Sequence, residues 1–400
     1  MNYENSRAAA IKASPSMAIA MAAKALRAQG RDIIDLSLGE PDFEPPANVS
    51  EAASAAVRAG HIRYGAAAGS ETLRRAIAAK LKRDNGLDYA LDELTIANGA
   101  KQILFDVFLA TLEPGDEVVI PTPCWVSYGD IVSLHGGVPV YVPCSQAQGF
   151  RLTAEALQAA ITPRTRWLML NSPSNPTGAI HSLEDYLALE RVLREHPAIL
   201  VLSDEIYEHI LLGDEHFVSF ATACPALRER TLLVNGVSKA YAMTGWRVGY
   251  AAGPKALIGA INKMQSQSVT SVCGVAQAAA TAALEGDQGF VARGAGIFAR
   301  RAKIVSEGLA GIAELDYVPP AGAFYAFIGV EKLLGRTTPE GQVLAGDSDL
   351  AAYLLNDFGL SSVPGQAFNA PGFIRLSIAA SDHELVEACV RLKRLVASLS

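Results

Sequence analysis

Lys239 lies in the loop Ser238-Lys239-Ala-Tyr-Ala-Met-Thr-Gly245-Trp-Arg247. A lysine held in a partly desolvated pocket can lose its proton and form a Schiff base with a carbonyl. Taken alone a lysine is more often a mobile, strongly hydrated surface charge, so the case rests on its neighbours. Asp204 ends the apolar run Ala198-Ile-Leu-Val-Leu-Ser, where a carboxylate can face the ring nitrogen of a pyridine cofactor and keep it protonated, the state in which such a ring draws electrons. The other reading is an aspartate that caps the following turn. Tyr207, three residues on, is either a hydrogen-bond partner for a phenolic oxygen or an ordinary half-buried tyrosine.

Four further groups follow apolar runs in the same way. Ser172-Pro-Ser-Asn175-Pro-Thr-Gly178 is a turn by its prolines and glycine. Within it Asn175 can present an amide to the same phenolic oxygen or to a carboxylate. Asn98-Gly99-Ala100-Lys101 precedes a helical pattern over residues 102–112, so its backbone N–H groups point outward at a helix N-terminus and form a seat for phosphate. Arg247 can neutralise that phosphate by a bidentate contact. Trp125 offers a flat face for stacking on a pyridine ring, or is a core tryptophan. Arg375 stands inside the apolar stretch Phe373-Ile-Arg-Leu-Ser-Ile, where an unpaired charge is expensive. Its partner is therefore either a structural carboxylate or the carboxylate of a substrate.

The elements that must hold these groups alternate. Short apolar runs suited to buried strands recur at residues 94–97, 117–120, 138–142, 167–170, 199–203, 231–234 and 248–251. Helical patterns lie between them, such as residues 71–83, where Leu73, Ile77 and Leu81 recur every four residues and Asn85-Gly86 supplies the stop. That alternation predicts an α/β fold with a mostly parallel sheet covered on both faces and ligands at the carboxyl ends of its strands. After about residue 290 a long polar helical stretch, a strand over residues 323–328 and a variable segment around residues 335–347 suggest a smaller domain. The glycines of Gly294-Ala-Gly296 resemble a dinucleotide fingerprint, but no strand precedes them.

Composition narrows the classes. A chain of 400 residues with 50% hydrophobic and 19% charged residues is globular and long enough for two domains. A net charge of −7 with both signs dispersed argues against nucleic-acid binding. No uninterrupted apolar window approaches the roughly 18 residues of a membrane span, and no cleavable leader is evident, so a cytoplasmic location is expected. The five cysteines, Cys124, Cys144, Cys224, Cys273 and Cys389, contain no CxxC and read as buried free thiols. No histidine or cysteine spacing supports a metal site.

Together these residues resemble the class I aminotransferases of the fold-type I pyridoxal-phosphate family, and within it the bacterial aspartate and prephenate aminotransferases. The resemblance is carried by Gly39-Glu-Pro-Asp-Phe43, Tyr64 with Gly69, Gly99-Ala-Lys-Gln102, Pro123-Cys-Trp-Val-Ser-Tyr128, Asn175-Pro-Thr-Gly178, Asp204-Glu-Ile-Tyr207, Asn235 through Arg247, Pro320-Ala-Gly-Ala-Phe-Tyr325 and Arg375. It implies a large cofactor-binding domain over residues 46–290 and a small domain from residues 1–45 and 291–400. It implies pyridoxal 5′-phosphate as cofactor, with Lys239 as Schiff-base lysine and general base and Asp204 at the ring nitrogen. Tyr207 and Asn175 then bind the phenolic oxygen, Trp125 stacks on the ring, and Gly99, Ala100, Ser238 and Arg247 lie at the phosphate. Gly39 and Arg375 meet the substrate backbone and α-carboxylate. Lys101, helped by Lys12, Ser14 and Ser16, is expected at a side-chain carboxylate, making aspartate with 2-oxoglutarate the lead pair. Prephenate or an aromatic amino acid is the alternative, and a pyridoxal-phosphate lyase the more distant one. The resemblance also sends Tyr64 to the phosphate of a neighbouring subunit, which implies a homodimer. Three positions depart from the family pattern, namely Gly236, Cys124 and Gly65.

Overall fold

In the computed structural model, which describes residues 3–5, 9, 11 and 15–400, all seven apolar runs are strands of one sheet. They are β1 (Leu94–Ala97), β2 (Glu117–Thr122), β3 (Val138–Pro143), β4 (Thr165–Asn171), β5 (Leu200–Asp204), β6 (Thr231–Gly236) and β7 (Gly249–Ala252). Their order across the sheet is β1-β7-β6-β5-β4-β2-β3. Neighbours run parallel except at β7, which is antiparallel to both β1 and β6. The runs are continuous rather than alternating because both faces are covered. Val118 and Leu202 join one core while their neighbours Val119 and Val201 join another.

The helices begin and end where their sequence requires. Among them are α1 (Pro15–Ala28), α2 (Glu71–Asn85) and α3 (Ala100–Thr111). Ser70 caps α2 by accepting from the Leu73 N–H at 3.3 Å. Gly86 ends it with φ +68, donating its N–H to the last carbonyls.

A second, antiparallel sheet orders Val363–Pro364, Phe373–Ser377, Tyr325–Gly329 and Asp316–Tyr317. The strand expected from residue 323 starts at Tyr325. Ala323 has φ +57 and donates its N–H to Ile210 O at 2.9 Å, outside the ladder. Phe298, Phe324, Leu354, Ile374 and Leu392 form a core here with Ile34 and Leu36, so segments near the two chain ends pack together. Gly294 lies inside the helix Gly289–Leu309, where a Cβ would come within 3.3 Å of Phe43 Cζ. It serves close packing. Four cysteines are buried, but Cys273 is exposed. It precedes the helix Gly274–Glu285 and stands outside the alanine stripe through which that helix packs. Among the described residues no helix is long and apolar enough to cross a membrane.

Candidate active site

The carboxyl ends of β4, β5 and β6 and the N-terminus of α3 open onto a cavity of about 380 Å³, the size of a small-ligand site. Lys239, Asp204 and Tyr207 share it. Lys239 Nζ donates to Gly39 O at 2.6 Å, and burial pushes its amine down to about 8. Asp204 accepts from Tyr128 Oη at 2.7 Å and from the Ile206 N–H at 3.3 Å, so it caps its own turn and still faces the cavity. Burial raises its carboxyl to about 6, a value at which a nearby cation would hold it ionised. Tyr207 Oη is 2.8 Å from Tyr325 Oη, and burial keeps both phenols protonated well into the alkaline range.

An anion seat lies on one side. Gly99 precedes α3 with φ +83 and no side chain caps the helix, which leaves its first N–H groups to a ligand. A Cβ on Gly99 would lie 2.4 Å from Arg247 Nη2, and one on Gly249 2.4 Å from Ala100 N. Glycine at both positions is what lets the arginine and the helix end converge. Ala100, Ser238 and Arg247 line the cavity there. A side chain at Gly236 would strike backbone, with Val248 O at 2.9 Å and Gly249 Cα at 3.0 Å. The missing hydroxyl at 236 therefore goes with the close approach of β6 to β7, and Ser238 is among the hydroxyls that line the cavity.

A second arginine, Arg375, also lines the cavity. Arg375 is 3% exposed, and its guanidinium donates to Asn175 Oδ1 at 2.9 Å and Ser37 O at 2.6 Å. It lies 4.4 Å from the Tyr325 ring centroid, and its Nε has no partner. No carboxylate pairs with it among the described residues, so the structural ion pair considered for it is absent. Because Asn175 gives its oxygen to Arg375, what it can offer a ligand is its amide N–H. Trp125 is half-buried, packing against one core while it lines the cavity; Lys101 Nζ sits 4.6 Å from its ring centroid. Gly39 belongs to the lining too, and a Cβ there would collide with Tyr325 Oη at 2.1 Å.

Some expectations fall elsewhere. Lys12 and Ser14 lie outside the described residues, whereas Ser16 and Met17 of α1 reach the cavity. Neither Cys124 nor Gly65 lines it. Cys124 is buried beside a small separate void with Asn171 and Asn175, and Gly65 is exposed, its N–H 3.3 Å from Ser271 Oγ. Tyr64 is 92% exposed and outside its own cavity. Sequence reasoning missed the roles of Tyr128, Tyr325 and Asn171, which brace Asp204, Tyr207 and Asn175. Tyr128 and Tyr325 end the motifs Pro123-Cys-Trp-Val-Ser-Tyr128 and Pro320-Ala-Gly-Ala-Phe-Tyr325, but nothing local ties either to its partner.

Glu205 sits behind Asp204, fully buried, its Oε1 accepting from Ser203 Oγ, Ser219 Oγ and the Phe220 N–H at 2.8, 2.9 and 3.0 Å. Burial, with Glu208 nearby, pushes its carboxyl from 4.5 up to about 8. The folded chain thus keeps a proton that the unfolded chain releases, so stability falls as pH rises through this window. Glu205→Gln replaces the protonated carboxyl by a neutral isostere. We expect Tm of the cofactor-free protein to fall less between about pH 5 and about pH 8 in this variant than in wild type, as read by calorimetry; an equal fall would show that Glu205 is ionised when folded.

Comparison with known proteins identifies the family. The family profile described as aminotransferase class I and II matches residues 31–392. The aspartate aminotransferase of Rhizobium meliloti strain 1021 is 50% identical over 387 residues, covering 97% of this chain and 94% of that protein. The aspartate/prephenate aminotransferase of Nitrosomonas europaea is 44% identical, covering 98% of each. The crystal structure of an aspartate aminotransferase from Rhizobium meliloti superposes with a TM-score of 0.96 at 48% identity, over 100% of both chains.

Proposed function

The chain belongs to the class I and II aminotransferases, and we propose that it transfers the amino group of aspartate to 2-oxoglutarate, giving oxaloacetate and glutamate. It is a pyridoxal-phosphate-dependent enzyme of the fold-type I architecture. The residues present fit that cofactor. A glycine-built anion seat with an uncapped helix end, a buried carboxylate and a desolvated lysine share one cavity. When bound, pyridoxal phosphate supplies a carbonyl that takes up the amino group and a ring that delocalises the charge left by the departing α-proton.

In this reading Gly99, Ala100, Ser238 and Arg247 hold the phosphate, and Trp125 packs on the ring. Asp204, braced by Tyr128, keeps the ring nitrogen protonated. Tyr207 and Asn175 bind the phenolic oxygen, and Lys239 Nζ moves the α-proton. Arg375 receives the α-carboxylate with its guanidinium fork, beside the Gly39 backbone. Tyr64, exposed on its own subunit, serves the site of a second copy, so the enzyme is read as a homodimer. The observation that carries the proposal is that Lys239 and Arg375, both desolvated, face one cavity with no carboxylate ion-paired to either among the described residues.

The test is a spectral titration of the cofactor-loaded protein with L-aspartate, L-phenylalanine or L-arginine. Conversion of the bound cofactor by aspartate, reversed by 2-oxoglutarate, supports the proposed pair. Conversion only by the aromatic donor favours the prephenate or aromatic alternative, and release of pyruvate with ammonia would indicate a lyase. Lys101 is the residue proposed for the side-chain carboxylate, because it lines the cavity beside Trp125, where partial desolvation and the Arg247 charge lower its proton affinity and an incoming anion would offset that. Lys101→Ala is expected to lower kcat/KM for aspartate by about 10- to 100-fold, the loss of one charged hydrogen bond, and to spare phenylalanine. Equal values for both donors in wild type and variant would remove Lys101 from substrate recognition.

A further inference from the structure

A buried polar cluster next to the cavity has no part in the chemistry above. Glu208 follows Tyr207 and is 5% exposed. Its carboxylate pairs with Lys80 Nζ, accepts from Asn85 Nδ2 and Asn235 Nδ2 at 2.7 Å each, and lies 3.5 Å from His209 Nδ1. Lys80 and Asn85 belong to α2, and Lys80 is itself 1% exposed. Asn235 stands near the end of β6, four residues before Lys239, and its Oδ1 accepts from the Gly236 N–H at 2.7 Å. Burying a charged pair this deeply costs desolvation that two apolar side chains would not. Stability alone is therefore a poor account of it.

The geometry of the two chain segments suggests another account. Strands β5 and β6 pair as far as Asp204 and Val234, and the Glu205 N–H still donates to Val234 O at 2.8 Å. Beyond that point the backbones separate, one carrying Tyr207 and the other Lys239, whose Nζ lies 5.8 Å from the Tyr207 ring centroid. The side-chain bond from Asn235 to Glu208 rejoins them. We propose that Glu208 is a positioning residue that, through Asn235, fixes the Lys239 loop relative to the turn bearing Tyr207. Lys80 and Asn85 hold the carboxylate at the place where Asn235 meets it.

The inference rests on the roles given above to Tyr207 and Lys239. Asn235→Ala cuts the link and keeps the Lys80–Glu208 pair. The charged and titratable groups facing Lys239 and Tyr207, namely Glu40, Arg247, Arg375, Asp204 and Tyr325, are unchanged in it. The absorbance of the loaded enzyme is followed against pH, with kcat and KM measured alongside. The expected result is a midpoint displaced by about half a pH unit or more, kcat lower by about tenfold or more from misplacement, and KM within about twofold. Asn235→Ser tests the same link if the alanine variant does not fold. The double variant Lys80→Met with Glu208→Gln removes both charges but retains an acceptor for Asn235, and is expected to keep the wild-type midpoint. An unchanged midpoint and kcat in the Asn235 variant overturns the proposal. So does a midpoint that moves in the double variant alone, which would assign the effect to charge. A wild-type protein with no cofactor absorbance would instead refute the site reading.

Discussion

Replacing Lys239 by alanine is expected to leave a folded protein that does not transaminate, with kcat lower by about 10⁴-fold or more, the upper range for loss of a positioned acid–base group. Folding should survive because the amine makes one hydrogen bond, to Gly39 O, and otherwise faces the cavity. Lys239→Arg sharpens the result. A guanidinium retains the charge and can still reach a carbonyl, but it does not release its proton in a protein, so it should be as inactive as alanine. The wild-type amine is suited to proton transfer because burial has brought it down to about 8. Both variants are checked by steady-state turnover with aspartate and 2-oxoglutarate, together with Tm. Wild-type rates in purified Lys239→Ala would remove the lysine from the chemistry altogether.

The residues on which that expectation depends could be located in the sequence because each follows a buried strand. An apolar run that stops at Asp204, or at the turn before Asn175, announces a carboxyl end where ligands gather. The sheet was legible for the same reason, since its strands are covered on both faces and leave uninterrupted apolar signals. What was not legible is how the site is braced. Tyr128 meets Asp204 across 76 residues of chain, Tyr207 meets Tyr325 across 118, and Asn175 meets Arg375 across 200. No periodicity spans such distances, because these contacts are made by tertiary packing between segments whose local patterns are independent. Errors of exposure have a similar origin. Cys273 looks like its four buried counterparts in composition, and only the packed face of the following helix decides that it stays outside. Gly236 reads as a lost hydroxyl until the neighbouring strand shows that no side chain fits there.

Arg375 should separate function from stability more cleanly than any other site residue. A structural arginine at 3% exposure would be paired with a carboxylate, and truncating it would strand that partner at a cost of about 3–5 kcal/mol. Here its acceptors are the Asn175 amide oxygen and the Ser37 carbonyl, both neutral, and its Nε is unpartnered. Arg375→Leu removes a buried charge and its two hydrogen bonds to neutral acceptors, opposing changes, so Tm is expected to move by only a few degrees. The substrate, by contrast, loses a bidentate partner for its α-carboxylate. At about 2–5 kcal/mol for a desolvated charge pair, kcat/KM should fall by about 30- to 5,000-fold for every amino donor and oxo acid alike, since all carry that carboxylate. Lys101→Ala should differ by discriminating among donors. Arg375→Lys restores charge without the planar fork and should recover part of the loss. A large drop in Tm with kcat/KM intact in the folded fraction would make Arg375 a structural residue, and the α-carboxylate would then need another cation.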